Sequence, residues 1–577
     1  MSNSTEDMMS AVPSGGILNG TGAWLQATIA VLAFVLIGVA MAPAFVQLFL
    51  DKPLYYPDAV FTLTNLSRIF TDPEVVRTYG TTLVFTVIVV VLSMLLGTCF
   101  AILLGRTDLP GKAPLTAILL WPLFLSPQVI GFGAILSYGP SGIVTIFVRD
   151  FLGLPVWDLY TVVGMAVITA IASAPVTTLY CIVAARQQDP NHDAAARMAG
   201  AKPWRILTKV TLPLMRPALV FALIMNVVHA LETLSIPLII GGPANIKLMT
   251  TLIYEKAFET SGIPEYGLVS ALAVSMIGLV AILFGLQRLV LQREYRFVSI
   301  GSRVGGAKPL ELGVWKWPAF GLVWTYVIFA ILFLLGAVFL RSFAFLLSPY
   351  VPFFDVVTLQ NYADILTVEV YKRSIINTII LALVGAGLGT ALIAAVALVA
   401  QRSNFPLRRF VDGLAQMPRV LPGLIVGLGV FYASVYVPML SWMRNTIWLL
   451  LLAYLIRFMS AGYGIVLPAL FQITTDFDRA AKAAGAGWTR TMARIVLPLQ
   501  KQALLSCFVL LMILIVKEYS AAVFLMSPGS EVIGTTMLSL WIQGQTGPVA
   551  ALAVLQILLT GALITVASRL FGVKLHD

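Results

Sequence analysis

Long apolar runs, separated by short connections rich in charge, Pro and Gly, fill the chain from Trp24 to Ala567. A helix rises ~1.5 Å per residue, so about 20 apolar residues match the ~30 Å hydrocarbon core of a bilayer. Twelve stretches meet that length. In the first half they are Trp24–Leu48, Tyr79–Leu104, Leu115–Tyr138, Leu159–Ala184, Pro217–Ile239 and Tyr266–Leu286. In the second they are Pro318–Leu340, Ser374–Ala400, Phe410–Val435, Ile447–Leu467, Ala503–Phe524 and Val549–Ala567, and Gly142–Leu154 is a candidate for a further short interfacial helix. The pattern predicts an all-α polytopic membrane protein.

The two sets of six also resemble each other. A segment reading DPNHDAAARMAGAKPWRILTKVTLPLMRPAL from Asp189 returns as TTDFDRAAKAAGAGWTRTMARIVLPLQKQAL from Thr474, at a constant offset of 285 residues. Gly97-Thr98 resembles Gly389-Thr390, and Pro122 and Pro127 resemble Pro418 and Pro422, at offsets of 292 to 296. Six spans per repeat give the two halves parallel orientation and a pseudo-twofold relation. The expected divisions are a tail at 1–22, a first transmembrane domain at 23–300, a basic linker at 301–317 and a second transmembrane domain at 318–577. Gly385, Gly387, Gly389, Gly423, Gly427 and Gly429 are expected to let helices approach closely.

Composition agrees with a membrane protein: 59% of the 577 residues are hydrophobic and 11% charged, too little polar surface for a soluble fold of this size. The net charge of +11 is spread over connecting loops and forms no continuous patch, which argues against nucleic acid. With both termini cytoplasmic, about two thirds of the 37 Lys and Arg residues face the cytoplasm, as the positive-inside rule requires, and so do both copies of the repeat. Residues 1–22 carry Glu6 and Asp7 and no basic residue, so the first span is expected to stay as an anchor rather than serve as a cleaved signal. Cys99, Cys181 and Cys507 all lie in spans without metal-ligand spacing and are expected to be packing residues.

Chemically, the repeat predicts a helix, a Gly-containing turn and a second helix leading into a span. Asp189 is the expected N-cap with Pro190 at the first helical position, and Thr474 the expected cap of the second copy. Ala194–Ala201 and Ala480–Ala486 form a narrow small-residue surface that fits a groove, broken at Gly200 and Gly485. Arg197, Lys202, Arg205, Lys482, Arg490 and Arg494 can pair with acidic groups or lipid headgroups, and Pro213 and Pro498 mark where the following spans begin. An Ala-rich interfacial helix copied with its domain would share some of these features. The glycine, the small residues and the Leu-Pro-Leu have stayed in register while the neighbouring loops drifted, which points to docking.

These stretches resemble the EAA signature (Glu-Ala-Ala, three residues, Gly, then a distal Leu-Pro) of permease subunits of type I ATP-binding-cassette importers. The resemblance implies coupling helices that dock on two cytoplasmic ATPase subunits. It places the contacts at Asp193, Ala195, Ala196, Gly200, Arg205 and Pro213, and again at Asp478, Ala480, Ala481, Gly485, Arg490 and Pro498. The chain departs from the signature where the glutamate, six residues before the glycine, is replaced by Ala194 and Arg479, with Asp193 and Asp478 one residue earlier. It has no GxxxxGK[ST] loop and no HExxH, so it is expected to be no enzyme and to bind no cofactor or metal, with ATP consumed by the partner. The resemblance further implies a periplasmic or extracellular binding protein and a place in the bacterial inner membrane among its lipids.

Charges inside spans are costly and mark pathways or structural pairs. The candidates are His229 and Glu232 in the fifth span, Arg457 in the tenth, and Lys517, Glu518 and Tyr519 in the eleventh, with Arg419 as a further one. Glu232 aligns with Lys517 at the repeat offset, so these two are the expected pair, while His229 is expected to be a hydrogen-bonded packing residue. The fused arrangement and the stretches VKEYSAAVFLMSPGSEVIGTTMLSLWIQGQTGPVAALAVL and FVSIGSRVGGAKPLELGVWKWPA look most like ferric-iron importers, with 2-aminoethylphosphonate, thiamine and polyamine permeases as similar alternatives. Oxygens of Glu232, Glu518 and Tyr519 suit a trivalent cation, and Lys517 opposes it. An ion-coupled secondary carrier also has twelve spans in two halves, but the connection GRTDLPGK lacks the charged Gly-Asp-Arg-Gly-Arg pattern expected of one.

Overall fold

A computed structural model describes residues 21–258, 265–294 and 309–571. The first twenty residues of the expected tail, residues 301–308 of the linker and His576 lie outside the described residues. Within them the architecture is helical, with nine helices long and apolar enough to span a bilayer, or up to twelve when three bent pairs each count as one span.

In the first half the order is α1 (Thr21–Gln47), α2 (Thr64–Thr71), α3 (Pro73–Arg106), α4 (Lys112–Leu120), α5 (Pro127–Tyr138), α6 (Val162–Arg186), α7 (Pro190–Met198), α8 (Arg216–Glu232), α9 (Met249–Ala257) and α10 (Tyr266–Glu294). The second half follows as α11 (Gly313–Ser342), α12 (Gln360–Thr367), α13 (Glu369–Arg402), α14 (Arg408–Gln416), α15 (Gly423–Tyr436), α16 (Ile447–Gln472), α17 (Asp476–Ala483), α18 (Lys501–Val516), α19 (Ile533–Ile542) and α20 (Thr546–Phe571). Ile143–Phe151 is helical, where an interfacial helix is expected.

Four expected spans are broken. Leu115–Tyr138 is not one helix, because Pro127 offers no N–H and forces Ser126 into an extended conformation (ψ 137°), where its hydroxyl caps α5. Phe410–Val435 breaks at the equivalent Leu421-Pro422, with a bend of 113°. Pro217–Ile239 stops at Glu232, with helical turns resuming at Ser235, and Ala503–Phe524 stops at Val516, with a short helical turn at Ala522–Phe524.

Short helices that hydropathy does not reveal repeat as faithfully as the long ones. Asn65 of α2 donates to the carbonyls of Leu48 (3.0 Å) and Leu50 (2.8 Å), and Asn361 of α12 donates to those of Ser342 (3.0 Å) and Ala344 (3.4 Å). The N–H of Met249 at the start of α9 donates to Thr82 Oγ1, and that of Ile533 at the start of α19 to Thr378 Oγ1, each at 3.0 Å. Each bond satisfies a buried backbone group that lipid could not.

The halves interlock. Helix α1 packs along α15 of the second half and α11 along α5 of the first, so each half covers its partner's re-entrant helix with its own first span. Glycines set the closest approaches: a Cβ at Gly133 would lie 2.6 Å from the Leu334 carbonyl oxygen, and one at Gly427 would lie 2.3 Å from that of Ala521. Gly385 meets the side-chain ends of Ile515 and Leu451, Gly389 those of Leu511 and Leu455, and Gly387 faces open space rather than a helix. Gly427→Val therefore costs about 1–3 kcal/mol by overpacking and lowers the thermal unfolding midpoint in detergent, while Gly387→Val leaves it unchanged. Equal midpoints for the two variants would contradict this packing.

Candidate functional site

Each repeated segment is a short helix closed by a left-handed glycine. The Asp189 carboxylate accepts from the Asn191 N–H at 2.9 Å, with Pro190 opening the helix. At the far end the Gly200 N–H donates to the Arg197 carbonyl (2.9 Å) and the Ala201 N–H to that of Ala196 (3.0 Å), with Gly200 at φ +77°. The second copy repeats the geometry: Gly485 N–H to Lys482 (3.0 Å), Ala486 N–H to Ala481 (2.9 Å), φ +78°. The paired bonds are a Schellman stop, and the backbone angle explains the glycine. No atom of the described residues lies within 4 Å of a Cβ built at either one, so none of those residues crowds them.

Two local expectations need correction. Thr475, not Thr474, occupies the N-cap of α17, without a side-chain bond, and Asp476 and Asp478 place negative charge in the first turn instead. Pro213 and Pro498 lie inside the short helical pieces Leu212–Leu214 and Leu497–Leu499, and the chain bends at Met215 and Gln500, by 68° and 74°.

The displaced aspartates are held within the chain. Asp193 pairs with Arg106 at the end of α3, both side chains buried, and Asp478 pairs with Arg402 at the end of α13 at 2.7 Å. Arg402 also donates to the Leu470 carbonyl at 2.9 Å. Ala195, Ala480, Arg205 and Arg490 are exposed, Ala196 is half-buried and Ala481 is buried.

At the other end of α8 and α18, between the two halves, lies a cavity of about 250 Å³. His229, Glu232, Arg457, Lys517, Glu518 and Tyr519 all line it. Their pairing differs from the expectation: Glu232 accepts from Arg457 Nη2 at 2.9 Å, and Lys517 Nζ donates to the Leu123 carbonyl at 2.7 Å. Arg457 Nη1 donates to the Leu421 carbonyl, also at 2.7 Å. In an unbroken helix Leu123 would accept from residue 127, a proline, and Leu421 is extended at the second break, so the two broken spans supply the acceptors for the two cations.

Glu518 Oε1 accepts from Ser520 Oγ (2.6 Å) and the Ala521 N–H (3.0 Å), and Tyr519 is buried beside Ser235. His229 stands one helical turn before Glu232 on the same face, with its ring turned to the cavity and no hydrogen bond among the described residues, rather than anchored in helix packing. Arg419 is outside the cavity, its guanidinium over the rings of Phe221 (5.2 Å) and Phe284 (4.9 Å). Among the described residues no group of three or more His, Cys, Asp and Glu could hold a metal ion.

The chain matches the family described as "Binding-protein-dependent transport system inner membrane component" over residues 114–294 and again over 387–574. It is 26% identical to the ferric transport system permease protein FbpB of Actinobacillus pleuropneumoniae, over 93% of this chain and 76% of that protein. It is 30% identical to the sulfate transport system permease protein CysW of Synechocystis, over 30% of this chain and 62% of that protein. It is 31% identical to the molybdenum transport system permease protein ModB of Escherichia coli, over 28% of this chain and 70% of that protein.

Removing one partner of a buried pair costs about 3–5 kcal/mol, because a charge is left uncompensated. Arg106→Gln is expected to speed amide hydrogen exchange across residues 190–201. Arg402→Gln has a smaller effect on 476–486, because the Asp478 side chain is 26% exposed against 7% for Asp193. Unchanged exchange in α7 would show that the pair does not fix the segment.

Proposed function

The chain belongs to the family of binding-protein-dependent transport system inner membrane components, and from that premise we propose that it carries ferric iron inward through the charged cavity, driven by two separate ATPase subunits. The iron reading is supported by the span of the likeness: the ferric relative matches 93% of this chain, whereas the sulfate and molybdenum relatives match 30% and 28%. The Glu232, Glu518 and Tyr519 oxygens in the cavity are hard donors suited to a trivalent cation.

One observation carries the mechanism. Helices α8 and α18 each start at the bend that follows a repeated segment and end at the cavity, on Glu232 and next to Lys517. At 1.5 Å per residue these rods are about 25 Å long, so a tilt of about 10° at the bend moves the cavity end by about 4 Å. That displacement exceeds the length of a hydrogen bond. ATPase subunits seated on the exposed faces around Gly200 and Gly485 would, by drawing the segments together, break Glu232–Arg457 and Lys517–Leu123 and open the cavity to the opposite side. A binding protein docked on the outer face delivers the cargo.

A second reading has its own observation. Arg457 and Lys517 put two cations into the same cavity, and an oxyanion such as those named for the partial relatives would use them. Reconstitution of the chain with its ATPase and binding protein separates the two. ATP-dependent retention of radioactive iron, with none of labelled sulfate or molybdate, supports the iron reading, and the reverse pattern overturns it.

In the same system Gly200→Val with Gly485→Val should abolish ATPase co-purification and uptake while the protein still reaches the membrane. Glu232→Gln or Lys517→Met should reduce uptake at least tenfold with ATPase binding kept. Full ATP-coupled uptake in the double glycine variant would contradict the coupling assignment, and unchanged uptake in both cavity variants would reduce those charges to structure.

A further inference from the structure

Two apolar grooves occupy the same place in the two halves, each between a long helix and a repeated segment. The groove in the second half measures about 770 Å³ and is walled by Ala391 and Ala394 of α13, Trp488 and Met492, and Leu25 and Ile29 of α1. Its counterpart measures about 1160 Å³ and is walled by Leu95 and Thr98 of α3, Trp204 and Leu207, and Leu310 and Trp315. The anchors Asn65/Asn361, Thr82/Thr378 and Arg106/Arg402 set the register of α3 and α13 at 296, four residues beyond the match of Gly97-Thr98 to Gly389-Thr390. Leu95 therefore corresponds to Ala391 and Thr98 to Ala394, and Leu207 corresponds to Met492. The side chains changed and the third wall was exchanged, yet both clefts stayed open and apolar.

Their walls run on into surface that faces lipid, where Val91 and Leu95 are 56% and 66% exposed. In a bilayer the solvent of such a surface is acyl chain. Charge identifies the headgroup. Lys501 is the one charged residue lining the second groove, exposed and with no acidic partner among the described residues. Arg490 and Arg494 are exposed on the same segment. The first groove differs: its one charged lining residue is Glu311, and Arg216, which corresponds to Lys501, is not among its walls. Trp488 and Trp204 are the amphipathic side chains expected where hydrocarbon meets headgroup.

We propose that the second groove binds one anionic phospholipid, its acyl chain between the long helix and the repeated segment and its phosphate on Lys501. The wall formed by Trp488, Met492 and Leu497 leads directly into the bend at Gln500, so the lipid braces the segment that turns toward the cavity. The site is read by lipid retention alone, so its failure and failure of the transport reading are separable.

The test is native mass spectrometry of the full chain with its ATPase, delipidated and then exposed to vesicles of phosphatidylglycerol or of phosphatidylcholine. One phosphatidylglycerol molecule per chain is expected to be retained, and no phosphatidylcholine. Lys501→Gln, which removes the headgroup contact, and Ala394→Phe, which fills the groove, should each abolish that retention. Equal retention of both lipids, or one molecule retained by both variants, would overturn the proposal. So would deletion of residues 2–19 adding a lipid to an otherwise empty second groove, since the chain's own tail would then be the occupant.

Discussion

A carbonyl freed where a helix breaks inside hydrocarbon must find a donor, and the cavity at the centre of this protein is built on that requirement. The proline at 127 and the extended stretch before Pro422 each interrupt a span and leave the carbonyls of Leu123 and Leu421 without helical partners. Lys517 reaches across the halves to Leu123, and Arg457 supplies Leu421 within its own half while binding Glu232 across them. Those cations in turn need anions nearby, and Glu232 and Glu518 line the same space. Broken spans and buried charges are therefore one arrangement, each making the other tolerable.

The same arrangement places the charges at the ends of levers. Helices α8 and α18 run without interruption from the bends at Met215 and Gln500 to the cavity. At the ends away from the cavity the repeated segments are tied to α3 and α13 by Arg106–Asp193 and Arg402–Asp478. Helix α3 also packs on α8, so a force on the first segment is carried both along the rod and beside it. The glutamate of the signature stands one position later, where this chain has Ala194 and Arg479, and the aspartates pair within the chain with Arg106 and Arg402.

Much of this was legible in the sequence. The duplication, the positions of the long helices, the caps at Asp189 and the stops at Gly200 and Gly485 follow from local patterns that act within a few residues. Six of the seven intramembrane candidates converge on one cavity, with Arg419 outside it, because the cost of burying charge selects residues that share a polar space. The pairing was not legible. Glu232 and Lys517 share a repeat position, but Arg457 corresponds to Ala172, so register carried no sign that Arg457 would take the carboxylate. Hydropathy averages across a window and cannot show a break at Ser126-Pro127, since the residues on both sides are apolar. The anchors Asn65 and Asn361 sit in short amphipathic helices, below the length that a span demands.

The central claim is that the repeated segments move the cavity through α8 and α18 as rigid rods. Pulsed electron resonance tests it most directly, with spin labels at Met198 and Ala483 on the segments and, in a second preparation, at Thr233 and Ser520 beside the cavity. With the ATPase bound and ATP held unhydrolysed, the first distance should shorten and the second should change by several ångströms in the same sample condition. A shortened first distance with an unchanged second would contradict the account.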